Sequence, residues 1–135
     1  GSSFGGIGYP GYSVYCASKF ALRGFSEALG RELADTGIKV LYFAPRATRT
    51  SLNSEAVYAL NAELGTQTDP AEIVAAHAIE ALKRETPRRW LGWPEAFFVR
   101  LNGLLPRIVD RALARQRPVI ARHARHLATA QQPEI

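Results

Sequence analysis

Tyr15 and Lys19 stand four residues apart in Tyr15-Cys16-Ala17-Ser18-Lys19. On a helix that spacing puts both side chains on one face. A free phenol titrates near ~10, too high for a base at neutral pH. A neighbouring ammonium favours the phenolate and lowers that value. Such a pair can accept a proton from an alcohol, or give one to a carbonyl oxygen, near neutral pH. The bare spacing is common, and a surface tyrosine beside a solvated lysine produces it equally well, so the surrounding residues must decide.

Those residues form a regular succession of elements. Residues 1–11 hold five glycines with Ser2, Ser3 and Pro10, a loop composition. A helix is predicted from Ser13 to Ala34, with Ala17, Phe20, Ala21, Phe25, Ala28, Leu29 and Leu33 close to a 3.6-residue period and Gly37 as its stop. The apolar run from Ile38 to Pro45 reads as a strand buried on both faces of a parallel sheet. A polar loop from Arg46 to Thr50 and a weak helix over Glu55 to Leu64 follow. Asp69-Pro70-Ala71-Glu72 has the pattern of a helix start with Asp69 as its cap, and that helix should run to Lys83. Arg89 to Gly92 reads as a short strand. From Glu95 onward the chain is helical in pattern, interrupted at Pro106 and Pro118. One buried strand and at most one other make too small a sheet to stand alone, so a larger α/β sheet is expected, its remaining strands upstream.

The motifs now fall into register. Gly1-Ser2-Ser3-Phe4-Gly5-Gly6, Tyr9-Pro10-Gly11, and Tyr15-Cys16-Ala17-Ser18-Lys19-Phe20-Ala21-Leu22 resemble the short-chain dehydrogenase/reductase family in order and spacing. Glu32 to Val40 fits that family's helix-turn-strand, and Pro45-Arg46-Ala47-Thr48-Arg49-Thr50 resembles its Pro-Gly-x-x-x-Thr loop. The firm resemblance covers about the first fifty residues.

The resemblance implies the C-terminal part of a Rossmann-like, doubly wound parallel sheet whose N-terminal nucleotide-binding strands are absent. It implies an oxidoreductase interconverting an alcohol and a carbonyl with NAD or NADP. Tyr15 would be the general acid/base. Lys19 would lower its pKa and hydrogen-bond the nicotinamide ribose, and Ser2 would hold the substrate oxygen. Thr48, Thr50 and the Pro45 backbone would contact the nicotinamide carboxamide and a nearby phosphate. Arg46 departs from the pattern, standing where the family usually has glycine, and arginine resists backbone angles that glycine accepts. The family's Gly-rich dinucleotide turn and catalytic asparagine have no counterpart here. Gly5, Gly6, Gly8 and Gly11 follow no strand in this chain and read as active-site loop. Three segments are expected: a catalytic loop, helix and strand over residues 1–50, substrate-loop helices and a last strand over residues 51–92, and a basic amphipathic extension over residues 93–135. The helix bearing Tyr15 and Lys19 would pair copies of the full-length protein into a homo-oligomer. The fragment alone would be inactive.

The chain has 135 residues, 47% of them apolar and 21% charged, within the range of one globular domain. Position 1 is not methionine, so the chain reads as cut from a larger protein. The net charge is +5, and much of the excess sits after Pro106, where Arg107, Arg111, Arg115, Arg117, Arg122 and Arg125 face only Asp110 and Glu134. A basic tail accounts for this without a nucleic-acid surface. A lone cysteine, Cys16, excludes an internal disulfide and reads as packing. With no signal-peptide pattern and no spanning apolar run, a cytoplasmic protein is expected. His77 reads as a residue of an ordinary helix. His123 and His126 lack a third ligand nearby and read as a solvated basic face, so no metal is expected.

Two readings compete with the enzyme. One is a non-catalytic binding protein on the same fold. The other is a peripheral membrane protein that lays the basic amphipathic pattern from Phe97 to Leu113 on an anionic surface; a substrate-pocket lid, or a helix packed against the missing domain, has the same pattern and is the favoured reading, since ordinary surface helices share it.

Overall fold

The computed structural model describes residues 1–51, 53 and 55–130. Five helices and four short strands follow a single 3-10 turn, Ser3–Gly5. The strands are β1 (Tyr42–Ala44), β2 (Thr48–Arg49), β3 (Asp69–Pro70) and β4 (Arg88–Trp90). The helices are α1 (Ser13–Glu32), α2 (Glu55–Glu63), α3 (Ala71–Lys83), α4 (Glu95–Leu104) and α5 (Pro106–Ala130). β1 pairs with β4 in parallel, Phe43 opposite Arg89, and β2 pairs with β3 in parallel, Thr48 opposite Asp69. Parallel pairing requires long crossovers, which α2 and α3 supply between β1 and β4. The architecture is α/β.

The core is thin. Tyr42, Ala44, Leu60, Ala81, Leu91, Val99, Val109 and Ile120 are buried, but no large side chain is fully enclosed. Tyr42 and Trp90 meet edge to face across the β1–β4 pair, with centroids 5.4 Å apart. Large apolar side chains remain outside: Val14 and Phe25 on α1, Ile79 and Leu82 on α3. Ordinary monomers cover such surfaces.

Several expectations are corrected. The run from Ile38 to Pro45 forms a strand only over Tyr42–Ala44, because β4 is its sole ladder partner among the described residues and spans three residues. The second strand is Arg88–Trp90, shifted one residue earlier at its start. Thr48 and Arg49, expected as loop, make the ladder with Asp69 and Pro70. Asp69 caps no helix. Pro70 occupies the cap of α3 without a side-chain bond, because Arg46 has taken the Asp69 carboxylate. Pro106 opens α5, where its missing N–H costs nothing. Pro118 does not interrupt that helix, which runs through it with Val109 and Ile120 buried on either side. Inward packing of those flanking turns opposes the loss of one backbone hydrogen bond.

Candidate active site

Ser2 begins the site. Its side chain accepts a hydrogen bond from the Phe4 N–H at 3.2 Å and so caps the turn Ser3–Gly5. The turn is anchored on both sides. The Ser3 N–H donates to the Pro45 carbonyl at 3.3 Å, and the Tyr42 hydroxyl donates to the Ser2 carbonyl at 3.4 Å. These bonds bring the serine segment to the C-terminal end of β1, the usual side for a ligand in a parallel sheet.

Glycine is required at position 5. A Cβ there would stand 2.8 Å from the Lys19 carbonyl oxygen of α1 and 2.5 Å from the Tyr42 hydroxyl. The turn therefore lies against the helix at the level of Lys19. Gly5→Ala is expected to push the Ser2 segment off α1 and lower stability by about 1–3 kcal/mol. Gly8→Ala, with open space at its Cβ, should be nearly silent in the same urea titration. Equal effects at the two positions would refute the close-approach account.

Tyr15 and Lys19 lie on the first two turns of α1. The Lys19 ammonium sits 5.1 Å from the centroid of the Tyr15 ring, within cation–π range. Tyr15 is 44% exposed. The ring is steadied by Phe4 at 6.1 Å and by Tyr12 at 6.2 Å, both edge to face. Phe4 in turn stacks on Tyr9 at 4.7 Å. Burial holds the phenols of Tyr9, Tyr12 and Tyr42 above the ordinary tyrosine value, which keeps them protonated. They are poor candidates for a base.

The glycine loop is pinned from the far side. Asn102 of α4 donates to the Gly6 carbonyl at 3.0 Å, and the Tyr9 hydroxyl donates to Gln116 of α5 at 2.8 Å. Cys16 is buried; its sulfur accepts the Tyr9 N–H at 3.3 Å. Neither Asn102 nor Gln116 was visible as a site residue in the sequence, since each meets the loop across about a hundred positions.

Arg46 is the unexpected member. Its Nε donates to Asp69 Oδ2 at 2.8 Å and its Nη2 to Asp69 Oδ1 at 2.6 Å, a bidentate pair. Its Nη1 reaches Gln67 at 2.8 Å and the Trp93 carbonyl at 3.3 Å. The Arg46 and Asp69 side chains are each only 14% exposed. The hydrogen bond from Arg46 holds the Asp69 carboxyl below the usual carboxylate range. Arg46 thus joins the loop after β1 to β3 and to the start of α4.

Thr48 and Thr50 are held within that loop. The Thr48 hydroxyl donates to the Arg46 carbonyl at 3.1 Å, and the Tyr58 hydroxyl donates to the Thr50 carbonyl at 2.8 Å. The structure thus brings Ser2, Tyr15, Lys19 and Pro45 around one turn, with no direct hydrogen bond from Thr48 or Thr50 to that group among the described residues. A groove of about 290 Å³ lies elsewhere, between α1, Lys39 and Arg88, and no candidate site residue lines it.

The minor histidines have ordinary partners. His123 contacts Glu63 at 2.7 Å, and His77 lies on α3 within 3.6 Å of Glu80. The side chain of His126 is outside the described residues. Among the described residues no group of three His, Cys, Asp or Glu side chains is placed to hold a metal.

Residues 1–60 match the family model described as short chain dehydrogenase. Over that region, the first 60 of its 135 residues, the chain is similar to the short-chain dehydrogenase/reductase family. It is 55% identical over 47 residues to an oxidoreductase, claN, of Passalora fulva, covering 35% of this chain and 22% of the relative. It is 39% identical over 64 residues to a diacetyl reductase, (S)-acetoin forming, of Staphylococcus aureus, covering 47% of this chain and 25% of the relative. A 3-ketodihydrosphingosine reductase of Dictyostelium discoideum is 49% identical over 49 residues, 36% of this chain and 15% of the relative. The chain spans a quarter or less of the length of these three relatives. No solved structure matches it at a significant level.

Proposed function

We propose that this chain is the catalytic, C-terminal part of an NAD(P)-dependent oxidoreductase that interconverts a carbonyl and an alcohol. The observation that carries this reading is the Lys19 ammonium over the Tyr15 ring beside the Ser2 turn, in a segment similar to the short-chain dehydrogenase family. Relatives named as reductases of diacetyl and of 3-ketodihydrosphingosine support a ketone as the substrate class. The upstream strands of a Rossmann-like sheet belong to the rest of the protein. The unpaired edge of β1 and the apolar faces of α1 and α3 support that division. Val14 and Phe25, outward on α1, support association of copies through that helix.

The donor set suits a nicotinamide dinucleotide. Lys19 has no carboxylate partner among the described residues, so its ammonium retains donors for ribose hydroxyls. Thr48 on β2 and Thr50 just after it follow Pro45 closely in the chain; to meet the carboxamide and phosphate the Thr48 hydroxyl would release the Arg46 carbonyl it now bonds. When bound, the dinucleotide supplies or accepts the hydride. In the reducing direction the Ser2 hydroxyl orients the substrate oxygen, and the Tyr15 hydroxyl gives that oxygen its proton. Lys19 stabilises the phenolate left behind. In the oxidising direction the phenolate takes the proton back.

The test is direct. The 135-residue chain alone should turn over no NADH or NADPH with short ketones. The longer protein that contains it should do so with saturation. Saturable turnover by the chain alone would overturn the division of labour. An inactive but folded and dinucleotide-binding longer protein would overturn the catalytic reading.

A further inference from the structure

α4 is turned partly inside out. Val99 is buried and Asn102 reaches back to the Gly6 carbonyl, so that side faces the protein. At 100° per residue, Phe97 and Leu104 fall on the opposite side. Phe97 is 45% exposed and Leu104 79%. The stripe extends at both ends. Trp93, 71% exposed, meets the Phe97 ring at 5.4 Å, and Leu105 and Ile108 continue it onto α5, both about half exposed.

Charge surrounds this stripe. Arg100 on α4 and Arg107 and Arg111 on α5 are exposed. Several cations elsewhere are answered by carboxylates: Arg31 and Arg88 by Glu27, Lys39 by Glu85, Arg84 and Arg89 by Glu80. Arg100, Arg107 and Arg111 form no salt bridge among the described residues; the acidic residue nearest in sequence is Glu95 for Arg100 and Asp110 for Arg107 and Arg111. Among the described residues, no helix is long and apolar enough to cross a bilayer. An aromatic and aliphatic strip bordered by unanswered arginines, on helices too polar to insert, is the pattern of an interfacial surface.

We infer that the α4–α5 corner docks on an anionic lipid bilayer, with Trp93, Phe97, Leu104 and Leu105 at the acyl boundary and Arg100, Arg107 and Arg111 among the headgroups. The charge complementarity selects this occupant over the interior of a protein, where three cations would need carboxylate partners. The inference stands apart from the oxidoreductase reading, since it uses none of Ser2, Tyr15 or Lys19.

The experiment is vesicle sedimentation of the full 135-residue chain, with tryptophan quenching by brominated lipid. Phosphatidylcholine vesicles are compared with vesicles containing about one-third phosphatidylglycerol. Binding should be confined to the anionic vesicles and weaken at about 0.5 M salt. Bromolipid should quench Trp93 and spare the half-buried Trp90, so Trp93→Phe abolishes quenching and Trp90→Phe preserves it. The triple variant Arg100→Ala, Arg107→Ala, Arg111→Ala should lower partitioning on the order of 100-fold. An equal charge change made at Arg31, Lys39 and Arg84 should leave it within about threefold, and circular dichroism checks that both variants keep their helices. No binding, equal binding to neutral vesicles, binding without Trp93 quenching, or equal losses in the two triple variants would each overturn the inference. Binding to a protein partner through this face, with vesicles ignored, would do so too.

Discussion

Under the proposed function, Tyr15→Phe in a longer protein that contains this chain is expected to lower kcat by about 10²–10⁴-fold, the range that a positioned general acid/base contributes. The substitution is clean because it leaves the ring. Phe4 and Tyr12 touch Tyr15 through ring edges, and Lys19 lies over the ring face, so all three contacts survive loss of the hydroxyl. Thermal stability and the Kd for dinucleotide should therefore stay near wild type while turnover falls. Ser2→Ala is a less decisive probe, since the Ser2 hydroxyl also caps the Ser3–Gly5 turn. Losing that cap costs about 1 kcal/mol by itself. Steady-state kinetics alongside a binding titration checks the prediction. Wild-type kcat in Tyr15→Phe would remove Tyr15 from the mechanism, and a parallel loss of dinucleotide affinity would recast it as a binding residue.

Arg46→Ala should have the largest effect on stability. It strands the Asp69 carboxylate, only 14% exposed, and removes the nearest cation from Glu95, whose Oε2 is buried without a hydrogen bond and lies 3.8 Å from Arg46 Nη1. Breaking one side of a fully buried pair costs about 3–5 kcal/mol, so this partly solvated one should cost about 2–3. Asp69→Asn should cost less, because the amide still accepts one guanidinium bond, and the double variant should fall short of the sum. The pH dependence follows from Asp69. Its folded-state pKa is depressed, first through the Arg46 hydrogen bond, so the contribution is complete above the unfolded carboxyl value of about 4. It is lost as pH falls through the lower folded value. Urea titrations between neutral pH and about pH 3 should therefore show the gap between wild type and Asp69→Asn shrinking with acid. A gap that stays constant would mean that the ion pair carries none of the difference.

These two predictions rest on features of unequal legibility. Tyr15, Lys19 and Ser2 were readable because their chemistry is local: a four-residue spacing on one helix and a serine at a fixed distance upstream. α1 was readable from its periodicity, and α3 from the helix-start pattern at Pro70-Ala71-Glu72. Arg46 and Asp69 were not. Asp69-Pro70-Ala71-Glu72 has the local form of a cap, but the competing partner lies 23 positions upstream, and a bidentate guanidinium pair outranks a single capping bond to a backbone N–H. The strand over Ile38 to Pro45 was overestimated for a related reason: apolar content marks residues fit for a sheet, while ladder length depends on the partner. Pro118 has the local mark of a helix break, but a helix packed along α2 and α4 carries a proline that an isolated helix would not.

The β1–β4 pair has a consequence for handling the chain. Among the described residues β1 is hydrogen-bonded on one side only, by a strand three residues long. Its other side offers a short row of amides and carbonyls in extended register, beside the half-exposed Ile38. Such a row is a template that does not distinguish its own polypeptide from a neighbour. Its exposure in concentrated solution is expected to favour strand exchange between copies, which light scattering measured against concentration checks.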